Sequence, residues 1–151
     1  MRTRHVVVVA AGQAAALGAE TLLLEKMNRP GRKLRITGQG RCNLTNTAPL
    51  REFIRAFNPA GQFLRQAFYR FFNTELLDFF TALGVRTVTE RGGRIFLASN
   101  DAGEAVDALL RWARASGVTI HTHAPVERLH VADGRVTGLS VGGDRPQTYD
   151  A

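Results

Sequence analysis

The feature that most constrains this chain is a short apolar run followed at once by a long polar, glycine-punctuated stretch. Thr21 to Leu24, closing on Glu25, reads as a buried parallel strand. From Glu25 to Asn46, EKMNRPGRKLRITGQGRCNLTN, hydrophobic periodicity stops. Gly31, Gly38 and Gly40 permit backbone shapes closed to other residues and can offer amides to a close ligand. Arg32, Lys33, Arg35 and Arg41 add four cations, and Asn43, Thr45 and Asn46 add short hydrogen-bonding side chains. A loop of this composition after a buried strand points to a bound anion.

The residues around it outline a nucleotide-binding βαβ unit. His5–Val9 predicts a central strand, Gly12–Gly18 a short alanine-rich helix, and Glu20–Glu25 the second strand. An acid ending that second strand stands where such units bind a ribose hydroxyl, and Glu25 occupies the place. The glycine-rich turn of the unit, G-x-G-x-x-G, is absent, because Val9 runs into Ala10, Ala11 and Gly12. Only the ten residues Ala10–Ala19 join the strands, which is tight for a crossover with a helix. Loss of that turn predicts a weakened pyrophosphate site.

Bulk composition narrows the classes. A chain of 151 residues with 44% apolar content is long enough for a core. No apolar run approaches the roughly 20 residues of a membrane span. The apolar run after the basic start, Val6–Ala11, is too short for a secretory signal and a helical segment with a strand follows it, so a cytoplasmic protein is expected, with no membrane partner. One cysteine, Cys42, excludes an internal disulfide and a multi-cysteine metal site, though Arg41 beside it raises the idea of an activated thiol. The net charge of +7 suits anionic partners, yet the arginines are scattered from Arg2 to Arg145, and no nucleic-acid partner is expected. His121 and His123 alternate in one expected strand and so share a face, but with no third ligand no metal site is expected.

Further along, Thr47–Gln62 reads as a linking segment with weak helical character, broken at Pro49 and Pro59. Phe63–Leu83 has the spacing of an amphipathic helix in two pieces, the second capped by Thr74. Strands are expected at Val85–Thr89 and within Arg91–Leu97. A helix capped by Ser99 or Asn100 then runs to about Ala115. Val118–His123, Pro125–Val131 and Arg135–Val141 are expected strands, the last two joined by an Asp133-Gly134 hairpin turn, with a further strand starting near the end.

With these residues laid out, G-R-K-L-x-I-T-G-x-G-R-C-N-L-T-N resembles the N-terminal flavin-binding segment of the YhiN/BaiN-like NAD(P)/FAD-dependent oxidoreductases. RFFNTELLDFFTALGV, GGRIFLASNDAGEAVDALL and GVTIHTHAPVERL resemble the same family in the same order. The resemblance implies an α/β, partial Rossmann-like FAD-binding domain of the two-dinucleotide-binding flavoprotein type, with a β-hairpin or meander near its C-terminus. It implies that Glu25 binds the adenosine ribose with Lys26 beside it. Arg32, Lys33, Thr37, Gly38, Gly40, Arg41, Cys42 and Asn43 would line the pyrophosphate and flavin, and Val126 would meet adenine through its backbone. FAD is the implied cofactor, carrying hydride transfer to an unknown small-molecule substrate, with NAD(P)H as the possible electron donor. No catalytic residue is identified.

Two further departures accompany the missing glycine-rich turn. Leu97 stands where the family usually has proline, and members of the family are far longer. Residues 1–151 are therefore expected to be a truncated FAD-binding domain without its substrate domain, inactive alone. The alternative is a folded remnant that binds no FAD.

Overall fold

The computed structural model describes residues 11–57, 61–142 and 147–150; the expected strand His5–Val9 and Pro59 lie outside them. In chain order the elements are α1 (Ala11–Ala16), β1 (Thr21–Leu24), a single turn α2 (Arg32–Arg35), β2 (Asn43–Asn46), α3 (Leu50–Ala56), α4 (Gly61–Arg70) and α5 (Asn73–Ala82). There follow β3 (Thr87–Thr89), β4 (Arg94–Leu97), α6 (Ala102–Ala115), β5 (Val118–His121), β6 (Val126–Ala132), β7 (Arg135–Val141) and β8 (Gln147–Asp150). Short 3₁₀ turns cover Thr37–Gly40 and Arg91–Gly93. The chain divides into two compact units, one of residues 1–32 with 109–151 and one of residues 33–108.

In the first unit β1 pairs in parallel with β5, from Thr21 opposite Val118 to Leu24 opposite His121. A parallel pair needs a crossover and cover on its faces, which the apolar TLLL run anticipates. Small residues provide that cover. Ala11, Ala113 and Val118 form a buried cluster, with Ala15, Leu23 and Ile120 packed against it. The rest of the unit is an antiparallel sheet in the order β6-β7-β8. Its first turn carries Asp133 at φ 50° and Gly134 at φ 71°, the two left-handed residues a tight hairpin requires. Ala124, Leu139 and Val141 are buried on this sheet, with Leu24 and Tyr149 against them. This is a mixed α/β Rossmann-type architecture followed by antiparallel strands.

In the second unit β2, β4 and β3 form an antiparallel sheet in that order. Phe96 pairs with Asn43 on one side and Val88 on the other. Beside it, Phe53 meets Phe68 and Phe72 edge-on at 5.4 and 5.1 Å between ring centroids, which joins α3, α4 and the start of α5.

Several expectations are corrected. Asn43–Asn46 is a strand, not loop, because a neighbouring strand supplies ladder partners that outweigh its polar composition. The linking segment contains a true helix, α3, beginning just after Pro49, where proline's missing N–H costs nothing. Thr74 does not cap α5; the Phe72 N–H donates to the Glu75 carboxylate at 2.9 Å, and that bond holds the Glu75 carboxyl below its usual range. Asp101, not Ser99 or Asn100, caps α6, its carboxylate accepting from Gly103 N–H at 2.7 Å. β5 ends at His121, and His123 sits in a turn at φ 55°, so the two histidines do not share a strand face. Among the described residues no helix is long and apolar enough to cross a membrane, and no group of His, Cys, Asp or Glu side chains is placed to hold a metal.

Candidate functional site

The strand that ends in Glu25 does not simply stop. Glu25 N–H donates to the His121 carbonyl at 2.9 Å, and Ala124 and His123 N–H donate back to the Glu25 and Met27 carbonyls, both at 3.0 Å. The backbone after β1 is thereby tied to the backbone after β5. Val126 begins β6 two residues beyond Ala124, so the two expected contacts of the adenosine end lie on neighbouring segments. The Glu25 carboxylate folds over its own turn, one oxygen accepting from Met27 N–H at 2.8 Å. A carboxylate has further lone pairs for a ligand hydroxyl. Beyond it an open cleft is lined by Lys26, Met27, Asn28, Arg29, Arg32 and His123. Arg29 and His123 join it unannounced by the sequence motif; the backbone bond from His123 to Met27 is what brings the histidine there.

In the second unit the Thr37–Asn43 turn is built from left-handed residues. Gly38 and Gln39 adopt φ/ψ of 56°/34° and 59°/40°, Gly40 has φ 85° and Cys42 φ 56°. A side chain at Gly38 would stand 2.9 Å from the Asn43 nitrogen and 3.2 Å from the Phe96 ring, so glycine is required there by space as well as by φ. The amides of Arg41 and Cys42 are used inside the turn, donating to Gly38 and Thr37 carbonyls at 3.2 and 3.1 Å. The Thr37 hydroxyl donates to the Leu34 carbonyl at 2.7 Å.

Two of the four loop cations are committed to the protein itself. Arg35 pairs with Asp107 of α6. Arg41 pairs with Glu90 through two guanidinium nitrogens, donates from Nε to Asn100 at 2.7 Å, and lies 4.3 Å over the Phe96 ring. These partners are 49 to 72 residues away in the chain, so nothing local signals them. Arg32 and Lys33 stay exposed. The polar side chains after the turn are likewise engaged. Asn43 turns its amide to the Ile95 and Thr45 carbonyls, the Thr45 hydroxyl reaches Asn73 at 2.6 Å, and Asn46 donates to the Gly92 carbonyl at 2.8 Å. Much of what reads as a ligand-binding loop is therefore a knot that fixes its own shape.

The hydrogen bond to Arg41 holds the Glu90 carboxyl below its usual range, and Glu90 in turn raises Arg41. The stabilisation from this pair is complete above the ordinary carboxylate pKa and is lost as pH falls through the depressed folded value. Glu90→Gln is expected to flatten the acid limb of the stability-versus-pH curve and leave the curve above pH ~6 nearly parallel. Urea denaturation across that range checks it; an unchanged acid limb would contradict the pairing.

Cys42 is fully buried. Burial pushes its thiol above the usual range, outweighing a hydrogen bond with Thr37 that acts the other way. Arg41 does not activate this thiol, because its guanidinium is turned to Glu90. Cys42 is expected to resist a thiol reagent in the folded chain and to react at the ordinary rate in denaturant. Fast modification under native conditions would overturn this placement.

A parallel strand pair, β1 with β5, that runs into an acid and has a basic cleft beside it suits a Rossmann-type nucleotide-binding domain. The chain belongs to the HI0933-like family, the YhiN/BaiN-like flavoprotein group, whose Rossmann-domain description matches residues 7–149. It is 35% identical over 114 residues to a 3-dehydro-bile acid delta(4,6)-reductase of Clostridium scindens, covering 76% of this chain and 27% of that protein. It is also 30% identical over 141 residues to the ribosomal RNA dihydrouridine synthase of Escherichia coli, covering 89% of this chain and 33% of that one. The chain thus spans about a third or less of the length of these relatives. Among solved structures it shares its fold with Thermovibrio ammonificans THI4, at a TM-score of 0.62 and 16% identity, over 98% of this chain and 54% of that one.

Proposed function

We propose that this chain is the FAD-binding portion of a flavin-dependent oxidoreductase. The observation that carries the reading is the pairing of an acid-ended parallel strand, at Glu25, with a cleft lined by Lys26, Arg29, Arg32 and His123. The donor set suits the group. A carboxylate accepts from ribose hydroxyls, and a cluster of cations neutralises a pyrophosphate. Glu25 and Lys26 would hold the adenosine ribose, with Val126 offering backbone to adenine. Arg32 and Lys33 would meet the pyrophosphate. Thr37, Gly38, Gly40, Arg41, Cys42 and Asn43 would form the wall toward the flavin, mainly through the backbone shape that their own bonds impose. FAD, when bound, supplies hydride transfer.

The names of the two relatives describe reduction of a steroid diene and of a uridine ring, both at carbon–carbon double bonds conjugated with a carbonyl. The complete protein is proposed to reduce a substrate of that type, with a reduced nicotinamide as electron donor. The missing glycine-rich turn predicts modest affinity, since several amide bonds to the pyrophosphate are lost, each worth about 1.5–3 kcal/mol to a charged group.

Competition tests the assignment of the adenosine half. ADP is expected to displace FAD while FMN at equal concentration does not. Glu25→Gln, which keeps one acceptor oxygen, is expected to weaken FAD about tenfold. Displacement by FMN alone, or FAD affinity indifferent to Glu25→Gln, would show that Glu25 is not at the ribose.

A further inference from the structure

The helical side of the 33–108 unit holds a second polar concavity. α3 and α4 meet along the phenylalanine cluster, and beside that seam lies an open groove lined by Arg51, Arg55, Gln62, Arg65 and Tyr69 over an apolar floor that includes Ile54. Arg51 and Arg55 are four residues apart on α3, and Arg65 and Tyr69 four apart on α4, so each pair shares one helix face. The guanidinium carbon of Arg65 lies 5.5 Å from the Tyr69 ring centroid. All three arginines are exposed, no carboxylate lines the groove, and none of the three has an ion-pair partner among the described residues.

Three unneutralised guanidinium groups around one groove repel one another, and an anion relieves that repulsion. The planar fork of arginine matches phosphate oxygens in particular. Tyr69 is 62% exposed and offers a flat ring beside the cations, the combination that receives a base next to its phosphate. We infer that this groove binds a nucleotide unit, with the phosphate between Arg51, Arg55 and Arg65 and the base on Tyr69. The unit can belong to a free nucleotide or to a single-stranded nucleic acid; the chemistry is shared. The inference is independent of the FAD reading, since none of these residues lies in the Glu25–Asn46 stretch.

Titrations of the chain with UMP, with inorganic tripolyphosphate and with a labelled twelve-residue oligouridylate, each without added FAD, test it. Binding of at least one uridine-bearing probe is expected. Arg51→Gln with Arg55→Gln should weaken it about tenfold or more. Tyr69→Leu should weaken the uridine-bearing probe about tenfold and leave tripolyphosphate unchanged. Tight UMP binding assigns the groove to free nucleotides. Binding of the oligomer alone, with a log–log salt slope of about −2 for three phosphate contacts, assigns it to a strand. FAD affinity of the same variants should equal that of the parent, which separates this site from the other. No binding of either uridine-bearing probe, or binding indifferent to all three substitutions, overturns the proposal.

Discussion

Leu97→Ala is expected to lower the unfolding free energy by about 2–5 kcal/mol, the cost of removing a fully buried leucine whose site cannot collapse. Leu97 ends β4 with no exposed surface, opposite Thr87 and directly after Phe96, the ring under Arg41. Loss of its packing should therefore also loosen the Thr37–Asn43 turn. Val88→Ala is the control. Val88 lies on the same sheet but is 41% exposed, and its truncation is expected to cost less than about 0.5 kcal/mol. Urea denaturation of both variants decides the matter; equal losses would show that β4 is not the core strand of this unit.

Gly61→Ala should be nearly as damaging, and against the usual sign. Alanine in a helix is ordinarily favoured over glycine by up to about 1 kcal/mol. Here a Cβ at residue 61 would stand 2.0 Å from the Ile54 carbonyl oxygen and 3.2 Å from an Ile54 side-chain carbon. Backbone cannot yield as a side-chain tip does, so α3 and α4 must part. The steric cost of about 1–3 kcal/mol outweighs the propensity gain. Separation of the helices would break the Phe53–Phe68 contact, so the near-ultraviolet circular dichroism of the phenylalanines should weaken with the melting temperature. A stabilised variant would show that the helices are not in contact at this point.

What the sequence made legible was chiefly what local pattern can encode. TLLL announced a parallel strand, Asp133-Gly134 announced its turn with both residues at positive φ, and the Glu25–Asn46 motif announced the family. Pairing at a distance was not legible. Glu90 and Asn100 hold Arg41 from 49 and 59 residues away, and Asp107 holds Arg35 from 72. Cations that look available to an anion in one dimension are neutralised in three. The strand Asn43–Asn46 escaped notice for a related reason, since NLTN has little intrinsic strand preference and acquires it from β4. His123 entered the basic cleft through its backbone bond to Met27, which no spacing rule describes. Lys26, Arg29 and Arg32 line the open cleft after β1, whereas Arg41 is held by Glu90 and Asn100.

The central claim is that Glu25–Asn46 forms a working wall of an FAD site in this chain. Its most direct test is a titration of the purified chain with FAD followed by the visible flavin spectrum, with a urea melt to verify cooperative folding. The account predicts a perturbed flavin band that saturates at one FAD per chain. A cooperatively folded chain that leaves the spectrum of free FAD unchanged at every concentration would contradict it.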